Sequence, residues 1–260
     1  VVSAQTEAFE ITGGAGVDKI TGGEGADTIN AGGGNDEITV AAAGKGDSDT
    51  MDGGEGTADV LKLSAGAHTF GDNDKLANIE KIATHADGSE VVVSAQTEAF
   101  EITGGAGVDK ITGGEGADTI KTAGGNDEIT VAAAGKANTD TMDGGEGTDI
   151  LKLSAGAHTF GDNDKLANIE KIETHADGSE VVVSAQKEAL EITGGAGVDK
   201  ITGGEGADTI KTAAGNDEIT VAAAGKANTD TMDGGDGTDV LKLSAGAHTF
   251  GDNDKLANIE

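Results

Sequence analysis

The sequence predicts an all-β solenoid, a β-roll or β-helix of short parallel strands, and three observations predict it. An apolar residue recurs every nine positions, glycine-rich turns fill the intervals, and the whole pattern repeats about every ninety residues. In the second repeat the ladder runs Val93, Ile102, Ile111, Ile120, Ile129, Met142, Leu151, Phe160, Ile169 and then Val183. The step is nine except for one thirteen (Ile129 to Met142) and one fourteen (Ile169 to Val183). Nine is neither a helix period nor a strand alternation. It is the period of a coil that returns one apolar side chain to a shared core once per turn and strand.

Composition sets the limits. The chain has 260 residues, net charge −31, 45 glycines and no Pro, Cys, Trp or Tyr, and all its basic residues are lysines. With 2% aromatic residues it lacks the material of an ordinary globular core, and such a composition often marks disorder. The strict ladder argues for order instead. Its Ile, Val and Leu rungs are β formers, and stacking buries a thin core that no single repeat buries alone. No apolar run approaches the ~20 residues that span a membrane, so no membrane insertion is expected. The negative charge argues against nucleic acid and anionic lipid and favours cations.

The repeats cover residues 1–91, 92–181 and 182–260. The first carries one extra residue, Ala58, and differences among the rest are few, such as Thr97 against Lys187 and Phe100 against Leu190. The ladder passes through each junction without a linker, so the expectation is one continuous solenoid over 1–260. Because the chain starts inside a repeat and stops at Glu260, it reads as a window on a longer protein. The two longer steps read as extended turns at one edge, around Val131-Ala132-Ala133-Ala134 and Thr174-His175-Ala176-Asp177-Gly178, the second with room for an extra strand. Nine rungs per repeat is an odd number. Without an extra strand, equivalent residues of adjacent repeats therefore fall on opposite faces.

Three nonapeptides open each repeat; in the first they are GGAGVDKIT (13–21), GGEGADTIN (22–30) and AGGGNDEIT (31–39). Weaker copies follow, such as GKANTDTMD (135–143) and GGEGTDILK (144–152). These resemble the hemolysin-type calcium-binding repeats of RTX proteins, with the pattern GGxGxDxUx. Six residues make the turn and three the strand, so two nonapeptides form a coil of eighteen. Asp18 and Asp36 then stack on one edge, about 4.8 Å apart from strand to strand. Carboxylates that close repel unless a cation lies between them, and Ca²⁺ takes ~6–8 oxygens, backbone carbonyls included.

The resemblance implies Ca²⁺ held in the edge turns. In the first repeat the expected ligands are Asp18 and Asp36 with the carbonyls of Gly13, Ala15, Gly32 and Gly34. The second offers Asp109 and Asp127 with Gly104, Ala106, Ala123 and Gly125, and the third Asp199 and Asp217 with Gly194, Ala196, Ala213 and Gly215. Asp27, Asp118 and Asp208 face the opposite edge, next to Asp49, Asp140 and Asp230. Asp59, Asp149 and Asp239 complete the candidate metal ligands.

A merely solvated acidic surface, or turns that are structural only, leaves Asp at position six of the nonapeptide unexplained. Asp72-Asn73-Asp74 starts like an EF-hand loop, but Leu76 and Ala77 stand where that loop needs Asp or Asn and then Gly, so a polar turn is expected. His68, His158 and His248 have no second histidine nearby and read as surface residues rather than zinc ligands. Lys19 and Lys110 read as outward strand charges. No nucleophile–base or carboxylate pair marks an enzyme.

The expected function is an extracellular calcium-binding structural repeat protein of a surface layer, matrix fibre or adhesin stalk. The alternative is a calcium-triggered folding module of a secreted RTX toxin or enzyme. The resemblance implies a bacterial protein secreted in one step (type I) to the exterior or cell surface. The expected partners are other copies, docked head-to-tail into a filament or lattice, and a cell-surface glycan or another matrix component.

Overall fold

Isoleucine flanked by polar residues, as in Lys-Ile-Thr, Thr-Ile-Asn and Glu-Ile-Thr, makes a strand three residues long that buries its middle side chain. The computed structural model describes residues 4–41, 48–71, 75–132, 139–161, 165–222, 229–250 and 256–260. It divides into two compact parts, Val1–Ile129 with Asp143–Gly147, and Thr130–Met142 with Thr148–Glu260. Each part is a β-solenoid of parallel strands, with no α-helix among the described residues.

The first part contains β1 (Glu10–Thr12), β2 (Lys19–Thr21), β3 (Thr28–Asn30), β4 (Glu37–Val40), β5 (Thr50–Asp52), β6 (Val60–Leu63) and β7 (Gly66–Thr69). It continues with β8 (Leu76–Ala77), β9 (Lys81–Ala83), β10 (Ser89–Val92), β11 (Glu101–Thr103), β12 (Lys110–Thr112) and β13 (Thr119–Lys121). One sheet has the order β1-β3-β5-β8, a second contains β2-β4-β6-β9-β11-β13, and a third contains β7-β10-β12. Register fixes the coil length. Ile11 pairs with Ile29 and Ile20 with Ile38, eighteen residues on, as two nonapeptides require. Insertions lengthen later coils: Ile29 pairs with Met51 and Ile38 with Leu61.

The roll changes faces between β7 and β10. Up to β6 the chain alternates between the first two sheets. β7 then opens the third sheet, β8 closes the first over β5, and β9 and β10 lie over β6 and β7. From β11 the chain alternates between the second and third sheets. The fourteen-residue step therefore holds additional strands, and β1 and its counterpart β11 lie in different sheets.

The second part follows the same plan. One sheet joins Ile150–Leu153, Lys171–Glu173, Glu191–Thr193, Thr209–Lys211, Thr231–Asp233 and Leu256–Ala257. Another joins Gly156–Thr159, Ser179–Val182, Lys200–Thr202, Glu218–Val221 and Val240–Leu243.

All ten ladder residues from Val93 to Val183 are buried. Four of them, Val93, Phe160, Ile169 and Val183, lie outside the strands, however. In the second part the rungs after Leu151 are His158, Ile172 and Val181, which pair in register with the strands of the next coil. Phe160, Ile169 and Val183 fill the corners beside them. A corner needs bulk as much as a rung does, so the nine-residue ladder passes from rungs to corners here.

The surface reading of the histidines is overturned. His68 and His158 are fully buried and His248 is half-buried. His68 pairs with Val91 and His158 with Val181 at inward positions of their strands, two residues from a buried Phe and thus on its face. Lys19 and Lys110 point outward as expected. The Asp72-Asn73-Asp74 turn and Ala133-Ala134 of the other long turn lie outside the described residues.

Candidate metal centre

Each nonapeptide turn places its aspartate just before the strand, where the side chain folds under the glycine-rich backbone instead of pointing to solvent. Fourteen of the fifteen candidate aspartates are buried: Asp27, Asp36, Asp49, Asp59, Asp109, Asp118, Asp127, Asp140, Asp149, Asp199, Asp208, Asp217, Asp230 and Asp239. Asp18 is half-buried.

The aspartates form ladders along the edges. Asp18 N–H donates to Asp36 Oδ1 (2.8 Å), and Asp36 N–H to Asp59 Oδ1 (2.6 Å). In the second repeat Ser89 N–H donates to Asp109 Oδ1 and Asp109 N–H to Asp127 Oδ1, both at 2.8 Å. In the third, the N–H groups of Ser179, Asp199 and Asp217 donate in turn to Asp199, Asp217 and Asp239, each at 2.8 Å. On the opposite edge Asp27 N–H donates to Asp49 Oδ1 (2.9 Å) and Asp208 N–H to Asp230 Oδ1 (3.0 Å). Each carboxylate thus sits over the backbone of the rung before it, one coil away.

The second carboxylate oxygen divides the turns into two kinds. In closed turns it accepts the N–H four residues back: Asp18 from Gly14, Asp27 from Gly23, Asp109 from Gly105, Asp118 from Gly114, Asp199 from Gly195 and Asp208 from Gly204, at 2.6–2.9 Å. In open turns, those of Asp36, Asp59, Asp217 and Asp239, Oδ2 is buried without a hydrogen-bond partner. Here the backbone runs otherwise. Gly54 and Gly235 have φ near +86° and +81°, and their N–H groups turn to Asp52 and Asp233 instead. Burial pushes the Asp59, Asp127 and Asp217 carboxyls above the usual range, although the N–H groups that they accept pull them back.

The candidate carbonyls line the same turns. Those of Gly32, Ala123 and Ala213 accept N–H groups from Glu55, Glu146 and Asp236 of the next coil, at 2.7–2.8 Å. A carbonyl has two lone pairs, so one remains for a cation. Gly34 and Gly125 donate their N–H groups to Glu55 and Glu146 across the same turns, while Gly215 pairs with Gly237. Gly13, Gly104 and Gly194 stand against the carbonyls of Ala31, Thr122 and Thr212 and against Oδ2 of Asp18, Asp109 and Asp199. The sequence reading did not include those three carbonyls. Ala106 and Ala196 donate N–H groups to Ala86 and Ala176, and Ala15 packs near Gly33. Among the described residues no three His, Cys, Asp or Glu side chains form one cluster; the donors are carboxylate pairs with carbonyls.

The lysines form ion pairs with strand glutamates. Lys62 and Lys19 pair with Glu37 (2.8 and 3.4 Å) and Lys81 with Glu101 (3.0 Å), on the outer face.

The family model for the RTX calcium-binding nonapeptide repeat, described as four copies, matches residues 10–39, 101–130, 134–157, 191–220 and 224–247, more than half of the chain. The chain belongs to that family. RTX nonapeptide repeats bind calcium ions. No curated protein matches the chain. The residues present fit the ion: hard oxygen donors, stacked carboxylates, a net charge of −31, and buried Oδ2 atoms with no protein donor. Calcium would supply positive charge between the stacked rungs.

Proposed function

We propose that this RTX chain is a calcium-dependent extracellular building element of a surface layer, matrix fibre or adhesin stalk. The observation that carries the reading is the near identity of the repeats combined with a non-catalytic solenoid. Each repeat rebuilds the same acidic ladder and the same core, as suits a material whose useful property is length. A solenoid ends in unpaired strand edges, and copies that dock there make contacts that do not close on themselves. Self-association head-to-tail follows, favoured by calcium on the acidic edges, with a surface glycan or matrix component as a further partner. Secretion in an unfolded state and folding on external calcium fit a chain whose charge opposes compaction without the ion.

Electron microscopy of the purified protein in millimolar calcium tests this. Fibres or sheets that dissolve in chelator are expected. Monodisperse particles at every calcium level would overturn it and favour the second reading, a folding module of a secreted toxin or enzyme. That reading rests on the same calcium-linked folding.

A further inference from the structure

The acidic ladder of the first repeat does not stop with its nonapeptides. Asp59 N–H donates to Glu80 Oε2 at 2.8 Å, in the way that Asp18 N–H donates to Asp36 and Asp36 N–H to Asp59. Glu80 comes from the Asn-Ile-Glu-Lys-Ile segment, which carries no Gly-Gly-Asp turn and lies outside the segments that match the RTX model. The register Val60 to Lys81 brings it there: one coil after Asp59, a glutamate takes the place of an aspartate. The second repeat repeats the device, with Asp149 N–H on Glu170 Oε2 at 2.8 Å.

Two independent features point to a ligand at this step. Asp59 is 1% exposed, and its Oδ1 accepts Asp36 N–H while its Oδ2 is buried with no hydrogen-bond partner. That Oδ2 faces the Gly53–Gly56 turn. A Cβ built on Gly56 would collide with Asp59 Oδ2 and with the Gly34 carbonyl oxygen, so both oxygens lie close against the same glycine Cα. A carboxylate oxygen with no donor and a carbonyl oxygen held together against one glycine, with Glu80 as a second acid one coil on, make an oxygen set that suits a cation. Among the described residues no lysine forms an ion pair with Asp59 or Glu80.

We propose that Asp59 and Glu80, with the Gly34 carbonyl, hold an additional divalent cation, Ca²⁺, where the nonapeptide ladder runs into the Asn-Ile-Glu segment. This rests on the calcium reading above and extends it to a residue type and segment outside the nonapeptide. The cation ties the last nonapeptide coil to the strands where the roll changes faces, β6 and β9. Calcium therefore locks this transition as well as the turns.

The test uses the full chain crystallised with Tb³⁺ in place of calcium, with anomalous scattering to place each ion. A peak beside Asp59 Oδ2 and the Glu80 carboxylate is expected. Terbium in the nonapeptide turns but not here overturns this proposal and leaves calcium binding intact; no ordered ion anywhere sinks both. In solution, Glu80→Gln should bind one ion fewer by titration calorimetry, while Glu90→Gln on an exposed strand position binds as many as the unaltered chain. An unchanged ion count in Glu80→Gln counts against the site. If Glu80→Gln does not fold, Asp59→Asn, which keeps the Oδ1 acceptor, must show the same loss.

Discussion

The backbone N–H of Asp18 donates to Oδ1 of Asp36, 2.8 Å away and one coil along the chain. This contact couples backbone order to carboxylate position, because the turn that carries Asp36 also braces the turn before it. Without the ion, stacked carboxylates oppose the order that their hydrogen bonds support. Binding to the folded state alone stabilises by about 2.7 kcal/mol per site when calcium is a hundred times its Kd. Several sites together exceed the 5–15 kcal/mol that a domain typically has. Circular dichroism should show the β signal lost in excess chelator and restored by calcium. A spectrum unchanged by chelator would refute it.

Asp217 separates the two roles of a ladder carboxylate. Its Oδ1 accepts Asp199 N–H, and its buried Oδ2 has no partner. Asp217→Asn keeps the acceptor and removes a charge whose burial is unfavourable. Calcium affinity should fall, while stability in chelator stays level or rises. Asp217→Ala leaves the Asp199 N–H buried without an acceptor, at a cost of about 1–3 kcal/mol with or without calcium. Titration calorimetry and denaturant melts on both variants check the split. Equal affinity in Asp217→Asn would remove this aspartate from the ligand set.

The ladder and the position-six aspartates were legible in the sequence because a two-nonapeptide coil is a local period. What lay beyond the sequence depends on register between coils. That Leu76, Ile82 and Val91 are rungs, and Ile79 a corner, follows from pairings twenty or more residues apart. The open and closed turns differ by a backbone φ that Ala and Gly letters do not announce. His158 had a signal that went unused: a residue two before a buried Phe on a strand shares its face. Glu80 had one too, since one coil beyond Asp59 falls on the Asn-Ile-Glu segment.

Ala213 shows where the backbone itself is under strain. It holds φ near +70°, as Ala123 does at +71°, whereas the first repeat has Gly32 at the same place with φ near +99°. An alanine in the left-handed region costs of order 1 kcal/mol. Ala213→Gly should relieve it without moving the carbonyl that accepts Asp236 N–H. The expected gain is somewhat below 1 kcal/mol, since glycine also loses more entropy on folding. Thermal melts in saturating calcium measure it. A drop in melting temperature would mean that the alanine methyl packs usefully.

His158 carries the last prediction. Nε2 lies 2.9 Å from the Ser154 carbonyl, which only accepts, so Nε2 bears the proton and Nδ1 is the bare nitrogen. Nδ1 is buried with no hydrogen-bond partner. Protonation would place a charge and an unmatched N–H inside the core, and burial accordingly lowers the pKa below 6.5, although the Ser154 bond opposes this. A folded-state pKa below the unfolded one gives stability that is present above about pH 6.5 and lost as pH falls towards the folded value. The slope is at most about 1.4 kcal/mol per pH unit for one histidine. His158→Leu fills the volume and removes the titration, so its stability should change less than that of the unaltered chain between pH 7 and 5. His158→Ala should cost about 2–4 kcal/mol at either pH by opening a cavity. Denaturant melts at both values, with calcium saturating, give the comparison; the same slope in His158→Leu and the unaltered chain would place the acid sensitivity elsewhere.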